Sequence, residues 1–292
     1  MLGKQFSDYA LLHSMIILLG LTAILGKLIT LPALDVVLYR SMIASAAFAI
    51  LVSLKKQKQD WSSLLPILSV GAILGIHWIC FFGSAKLSNV SVSLITVSTT
   101  AFFTSIIEPL SQRKKIEMFD VLLGLLVILG MTLIFFAIPK HGLAILIGLL
   151  AGFLSTIYVV ANARLIQRHS ALKLNTIELT GAFLICLPVL PFIKSAEMWA
   201  LPQNLDLIYL LVLALLCTVL PYMVNLNLLK KFTAFEMNLA INLEPVYGIL
   251  MAWVIFKEEE LLNVRFYIGA GLILLSLLLY GNKKALTKRK GL

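Results

Sequence analysis

Ten apolar stretches, each long enough to cross a bilayer, fill the chain between Tyr9 and Asn282. A spanning helix needs about 20 mostly apolar residues, because hydrocarbon offers no partner to backbone N–H and C=O and a helix bonds both internally. The stretches run over 9–29, 34–54, 62–85, 90–110, 118–138, 141–161, 174–194, 207–228, 235–256 and 264–282. They predict an all-α polytopic membrane protein embedded in a lipid bilayer. Composition agrees: the chain is 60% hydrophobic and 13% charged, with a mean hydropathy of +0.99, whereas a soluble domain is about 25% charged. No connection is long enough to hold a large soluble domain.

Positive loops are retained on the cytoplasmic side. With the N-terminus inside, seventeen of the 24 Lys and Arg fall in cytoplasmic connections or tails, among them Lys55, Lys56 and Lys58, Arg113 to Lys115, and the tail from Lys283 to Lys290. Both termini are therefore expected in the cytoplasm. This bias accounts for the net charge of +10 without a nucleic-acid partner. The first stretch is a full span with no small-residue cleavage site, so it reads as an uncleaved helix. Cys80, Cys186 and Cys217 all lie within spans, where each serves as a small packing residue. Neither a disulfide framework nor a metal site is implied, and no cofactor is expected.

Transporters are often built from two copies of one unit inserted in opposite directions. Sliding the chain on itself by 145 residues lays spans three to five on spans eight to ten without a gap, pairing Leu94 with Leu239, Gly124 with Gly269 and Ile128 with Ile273. Under that shift Arg113, Lys114 and Lys115 meet Glu258, Glu259 and Glu260. A unit with an odd number of spans inserts its second copy upside down, so the equivalent loop should lose its positive charge. The expected architecture is two inverted five-helix repeats, 1–139 and 140–292, around a central cavity, with the break near Pro139, Lys140 and His141.

The segments Leu243-Glu244-Pro245-Val246-Tyr247, Phe256 through Glu258 and Glu259 to Gly269-Ala270-Gly271-Leu272-Ile273, and Leu38-Tyr39-Arg40-Ser41-Met42-Ile43-Ala44 resemble the drug/metabolite transporter superfamily, in particular its EamA branch. The resemblance covers nearly the whole chain. It departs from the pattern in the first half, where Thr100 stands opposite Pro245 and Arg113 to Lys115 replace the acidic turn. The resemblance implies a ten-helix carrier working by alternating access on small organic solutes.

An ionisable group at membrane depth costs at least roughly 2.5 to 3.5 kcal/mol, so it usually faces a cavity, a pathway or a partner. Glu244 is the most central of these groups, a candidate to bind an amine or to take up and release a proton. A buried carboxyl capped by Asn242 or by a lysine from another helix is the bland alternative. Asn238, Asn242 and Pro245 share roughly one face, and Pro245 removes the N–H that would bond the Ile241 carbonyl. Arg40 is a candidate to hold a substrate carboxylate, or to pair with Asp35 or another acid near that surface. Lys27, near a span end, can snorkel.

His77 and Trp78 sit together in span three, and Tyr222 stands opposite His77 under the repeat shift. Such aromatics would line a cavity or simply pack; His77 is a second proton-coupling candidate. Thr96 and Thr100, one turn apart, and Tyr158 in span six with Asn162 add hydrogen-bonding surface. Glu108, Glu178 and Glu236 lie toward cytoplasmic helix ends, where exposure or pairing with nearby Lys and Arg explains them. Gly71 with Gly75, and Ala144, Gly148 and Gly152, form small-residue faces for close helix approach.

No HExxH, GxSxG or Walker loop is present, so neither an intramembrane protease nor an ATP-driven pump has a signature, and the chain is not expected to be an enzyme. The leading expectation is a secondary active transporter of small metabolites, amino acids or similar amphipathic solutes, in the export direction and with protons as candidate coupling ion. The membrane is expected to be a bacterial inner membrane. A carrier or flippase of nucleotide-linked or lipid-linked sugars would want several cations facing the cavity, and only Arg40 and Lys27 are available. A non-transporting scaffold would not need Glu244 at the membrane centre.

Overall fold

A computed structural model describes residues 2–55, 63–88, 90–134, 142–193, 201–203, 205–256 and 264–289. The predicted break at Pro139 to His141 and the acidic turn at Glu258 and Glu259 lie outside these residues, as does the side chain of Lys27.

The apolar stretches fold as helices, and no strand occurs among the described residues. These are α1 (Leu2–Leu28), α2 (Ala33–Leu54), α3 (Leu64–Leu87), α4 (Val90–Val97), α5 (Thr100–Ser111), α6 (Met118–Ile134), α7 (Gly142–Leu165), α8 (Ala171–Ile193), α9 (Leu205–Leu211), α10 (Leu220–Leu228), α11 (Ala234–Ile241), α12 (Glu244–Phe256) and α13 (Val264–Arg289). A π-helical segment, Val212–Val219, joins α9 to α10. Among the described residues six helices are long and apolar enough to cross a membrane, and Met118–Leu133 is a shorter apolar one. Large apolar side chains cover the outside, with Leu65 75%, Leu146 65% and Leu278 66% exposed. Arg40, Glu178, Asn238 and Asn242 are buried inside. A polar interior beneath an apolar exterior suits lipid and would aggregate in water.

Two predicted spans are broken in their middle. In the fourth, Ser98 N donates to Leu94 O, Thr99 N to Thr96 O and Phe103 N to Thr99 O. In the ninth, Asn242 N donates to Asn238 O, Leu243 N to Ala240 O and Tyr247 N to Leu243 O. The two sets are the same bonds, each residue displaced by 144 positions. That is one less than the sequence slide, so Thr100, which opens α5, corresponds to Glu244, which opens α12. Pro245 follows Glu244 in the first turn of α12, where a missing N–H leaves no bond unmade.

Packing crosses between the halves. α3 lies against α7 and α8, while α10 and the π-segment lie against α1 and α2; α6 pairs with α13, and α2 with α8. Glycines set the closest approaches. A Cβ on Gly71 would fall 2.1 Å from the Glu178 carbonyl oxygen, and one on Gly148 would fall 2.0 Å from Thr96 Oγ1. The small-residue faces at Gly71 and Gly75 and at Gly148 and Gly152 thus make tight helix contacts.

Ion pairs gather where the N-terminus, the 112–117 connection, the 229–233 connection and the C-terminal helix meet. Lys231 pairs with Asp8 at 2.5 Å, Lys284 with Glu236 at 2.5 Å, and Lys283 with Asp120 at 2.8 Å and with Glu117. At the same end Thr233 Oγ1 accepts from Glu236 N and the Glu236 carboxylate accepts from Thr233 N, a reciprocal cap that starts α11.

Candidate functional site

A cavity of about 110 Å³ opens where α1, α2, α3, the α4–α5 break, α7, α10 and the α11–α12 break converge. Nine of the ten candidate residues line it: Arg40, His77, Trp78, Thr100, Tyr158, Tyr222, Asn238, Asn242 and Glu244. Thr96 does not. Its hydroxyl donates back to Val92 O and Ser93 O, and it packs on Gly148 of α7.

Arg40 is 2% exposed. Pro221 lacks the N–H that would serve the carbonyl four residues earlier, that of Cys217, and Arg40 Nη2 donates to that oxygen at 3.4 Å. Arg40 Nε donates to Thr218 Oγ1 at 2.7 Å, and Thr218 itself donates to Leu213 O across the π-turn. The proline and the π-turn together therefore build the seat of the arginine. The guanidinium also lies 4.2 Å from the centroid of the Trp78 ring. None of its hydrogen bonds goes to Asp35, and among the described residues no carboxylate stands within ion-pair distance. An arginine carries five N–H donors, so most of its fork remains free toward the cavity.

The Glu244 carboxyl lines the same cavity, feels the Arg40 charge, and accepts no hydrogen bond among the described residues. Asn242 does not cap it, because its Nδ2 is buried without a partner. Thr22 Oγ1 and Asn225 Oδ1, which also line the cavity, are buried without partners too. Asn238 differs, donating to Thr104 Oγ1 at 2.7 Å. Buried polar atoms in native proteins are nearly always hydrogen-bonded, so three unpartnered ones around one space mark it as a place for a polar solute or water. The Tyr222 ring lies between Trp78, 5.6 Å away edge to face, and Tyr158, 6.2 Å away. His77 Nδ1 bonds the Ala151 carbonyl at 2.8 Å, which holds its ring across α3 and α7.

Two carboxylates differ from expectation. Glu108 is buried and accepts from Ala234 N at 3.1 Å and Phe235 N at 2.8 Å, so it caps α11 instead of pairing with nearby Lys or Arg. Glu178 is fully buried and accepts from Tyr158 Oη and Asn162 Nδ2. Glu236 does pair with a lysine, Lys284.

The EamA-like transporter family matches residues 7–136 and again residues 142–281. The chain belongs to this family. Two relatives from Bacillus subtilis (strain 168) are similar over most of their length. The uncharacterized transporter YdfC is 25% identical over 228 residues, 76% of this chain and 73% of its own. The uncharacterized transporter YetK is 27% identical over 270 residues, 87% and 81%. One solved crystal structure has the same fold, with a TM-score of 0.73 and 15% identity over 93% of this chain and 95% of that chain. The protein is a multi-pass membrane transporter acting on a small-molecule substrate.

Proposed function

We propose that this EamA-family transporter is a secondary carrier that exports amino acids or similar amphipathic solutes by alternating access, driven by protons that bind at Glu244. The observation that carries the reading is that Arg40 and Glu244 line one cavity, each without a hydrogen bond or ion pair from the described protein that neutralises it. A guanidinium with free donors fits a carboxylate, and a desolvated carboxyl fits an ammonium or a proton. A zwitterion supplies both. The rings of Trp78 and Tyr222 offer apolar faces for its side chain.

The reading takes ten spanning helices arranged as inverted repeats, 1–139 and 140–292. Support comes from the two separate family matches, the identical bonding at the two helix breaks, and the crossing of α3 and α10 onto the opposite half. Both termini share one end of the bundle with the basic connections, which agrees with a cytoplasmic location. The Bacillus relatives favour a bacterial inner membrane.

The test is flux of a pool of labelled amino acids into proteoliposomes, with and without a pH gradient, beside Glu244→Gln. Saturable flux that follows the gradient and is lost in the variant is expected. No flux above empty liposomes for any member of the pool would refute the amino-acid assignment.

A further inference from the structure

We propose that Glu178, outside the cavity, is a second proton-binding site that communicates with the cavity through the Tyr158 hydroxyl. The transport half of this inference rests on the carrier reading above; the proton site itself does not.

Glu178 is 0% exposed, and α3 passes so close that Gly71 has no room for a Cβ against it. One carboxyl oxygen, Oε2, accepts from Tyr158 Oη at 3.0 Å and from Asn162 Nδ2 at 3.3 Å. The other, Oε1, has no donor, and neither does Asn162 Oδ1. Asn175, one turn earlier on the same face of α8, is buried with both its Oδ1 and its Nδ2 unpartnered. Among the described residues three buried oxygens here therefore lack hydrogens, and a single amide NH2 is unused. A proton on Glu178 Oε1 turns one surplus acceptor into a donor and removes a charge that nothing else offsets.

The neighbours leave the proton as the neutralising cation. From α7 the facing groups are Tyr158 and Asn162; from α10 it is Tyr222; α3 presents Gly71; and α2 meets α8 two residues further on, where Ser45 bonds Thr180. None of these is a cation.

Tyr158 gives the site a route to the substrate. It has one O–H, spent on Glu178, while its ring lines the cavity beside Tyr222. An ionised Glu178 holds that O–H strongly. A neutral Glu178 still accepts it but holds it less strongly, so a solute competes for it more easily and the proton on α8 is sensed where substrate binds.

The experiment is infrared difference spectroscopy of the purified full-length protein at neutral and alkaline pH, reading the protonated-carboxyl stretch, in wild type, Glu178→Gln, Glu244→Gln and Tyr158→Phe. We expect a band at neutral pH that is lost in Glu178→Gln and kept in Glu244→Gln. In Tyr158→Phe it should shift to higher frequency, because one hydrogen bond to the carboxyl is gone. A spectrum in Glu178→Gln identical to wild type, or a band that vanishes when sodium is added, overturns the proposal. Should Glu178→Gln fail to fold, an unmoved band in Tyr158→Phe overturns it instead. These spectra need no substrate, so they stand even if amino-acid flux is absent. In transport, Glu178→Gln should keep substrate exchange and lose the response to the pH gradient; an unchanged response removes the coupling role.

Discussion

If Arg40 and Glu244 are the two poles of a zwitterion site, removing each should damage recognition of only one end of the solute. Arg40 retains most of its five donors for a ligand, since its bonds to Thr218 and Cys217 use only two, and the Glu244 carboxyl is free of hydrogen bonds within the described protein. A hydrogen bond to a charged group contributes about 1.5 to 3 kcal/mol, which is roughly 10- to 150-fold in Kd. Arg40→Gln should therefore weaken a transported amino acid by that factor and leave the corresponding decarboxylated amine nearly unaffected. Glu244→Gln should do the reverse, sparing the corresponding carboxylic acid. The assay is competition by the three analogues against equilibrium binding of labelled substrate to the protein in proteoliposomes, read as ratios of inhibition constants, which needs no flux through the variants. Ratios matter because Arg40 also anchors the π-turn through Thr218 at 2.7 Å, and a folding defect lowers all affinities alike. Arg40→Lys, which keeps the charge but not the planar fork, should fall between wild type and Arg40→Gln. Equal losses for all three analogues in both variants would refute the two-pole site.

Two further expectations concern stability. Gly71→Ala places a Cβ 2.1 Å from the Glu178 carbonyl oxygen and should lower stability by about 1 to 3 kcal/mol as α3 and α8 are forced apart; Gly83→Ala meets nothing within 4 Å and should be neutral or slightly stabilising, and thermal unfolding in detergent compares them. Partial burial pulls the Lys283 ammonium down, but its hydrogen bonds to Asp120 and Glu117 more than offset this and hold it above the ordinary lysine range. A raised lysine contributes stability at all pH values below its unfolded pKa, and that contribution disappears as pH rises through the folded one. The melting difference between wild type and Lys283→Met should accordingly be constant through neutral pH and vanish only in strong alkali; a difference that changes near neutrality would contradict the pairing.

The helices and most of the cavity lining were readable because insertion into lipid punishes polar residues, so Glu244, Arg40, Asn238 and Asn242 stand out against an apolar background. The faces were harder to read. Glu178 has a basic neighbour in sequence, Lys173, yet five residues along a helix is about 140° around its axis, and the side chain turns inward to Tyr158. Glu108 has its partners, Ala234 and Phe235, across the bundle, where no local pattern reaches. The broken helices carry an uneven signal in the sequence. Pro245 marked the second break, but the first is made by threonines that look like ordinary span residues, and a slide of letters placed the two one residue out of step. The π-turn before Pro221 left no mark beyond the proline itself. The reciprocal cap from Thr233 to Glu236 was legible, as a hydroxyl residue followed three positions later by Glu.

The two breaks share their backbone bonding and differ in what their side chains do, and this difference explains how a repeated scaffold carries a one-sided chemistry. At the first break the hydroxyls are spent on local carbonyls: Thr96 on Val92 and Ser93, Thr99 on Thr96, and Thr104 on Thr100. At the second, among the described residues, Asn242 Nδ2 has no partner and the Glu244 carboxyl accepts no hydrogen bond, while Pro245 has no N–H to offer. Placing a carboxylate at both Thr100 and Glu244 would set two like charges in one space of low dielectric, and each would resist ionisation of the other. One carboxyl facing one guanidinium instead leaves the cavity neutral when it is empty and when it holds a zwitterion. On the carrier reading proposed above, the acid therefore stands at only one of the two breaks, with Arg40 of α2 as its counterpart.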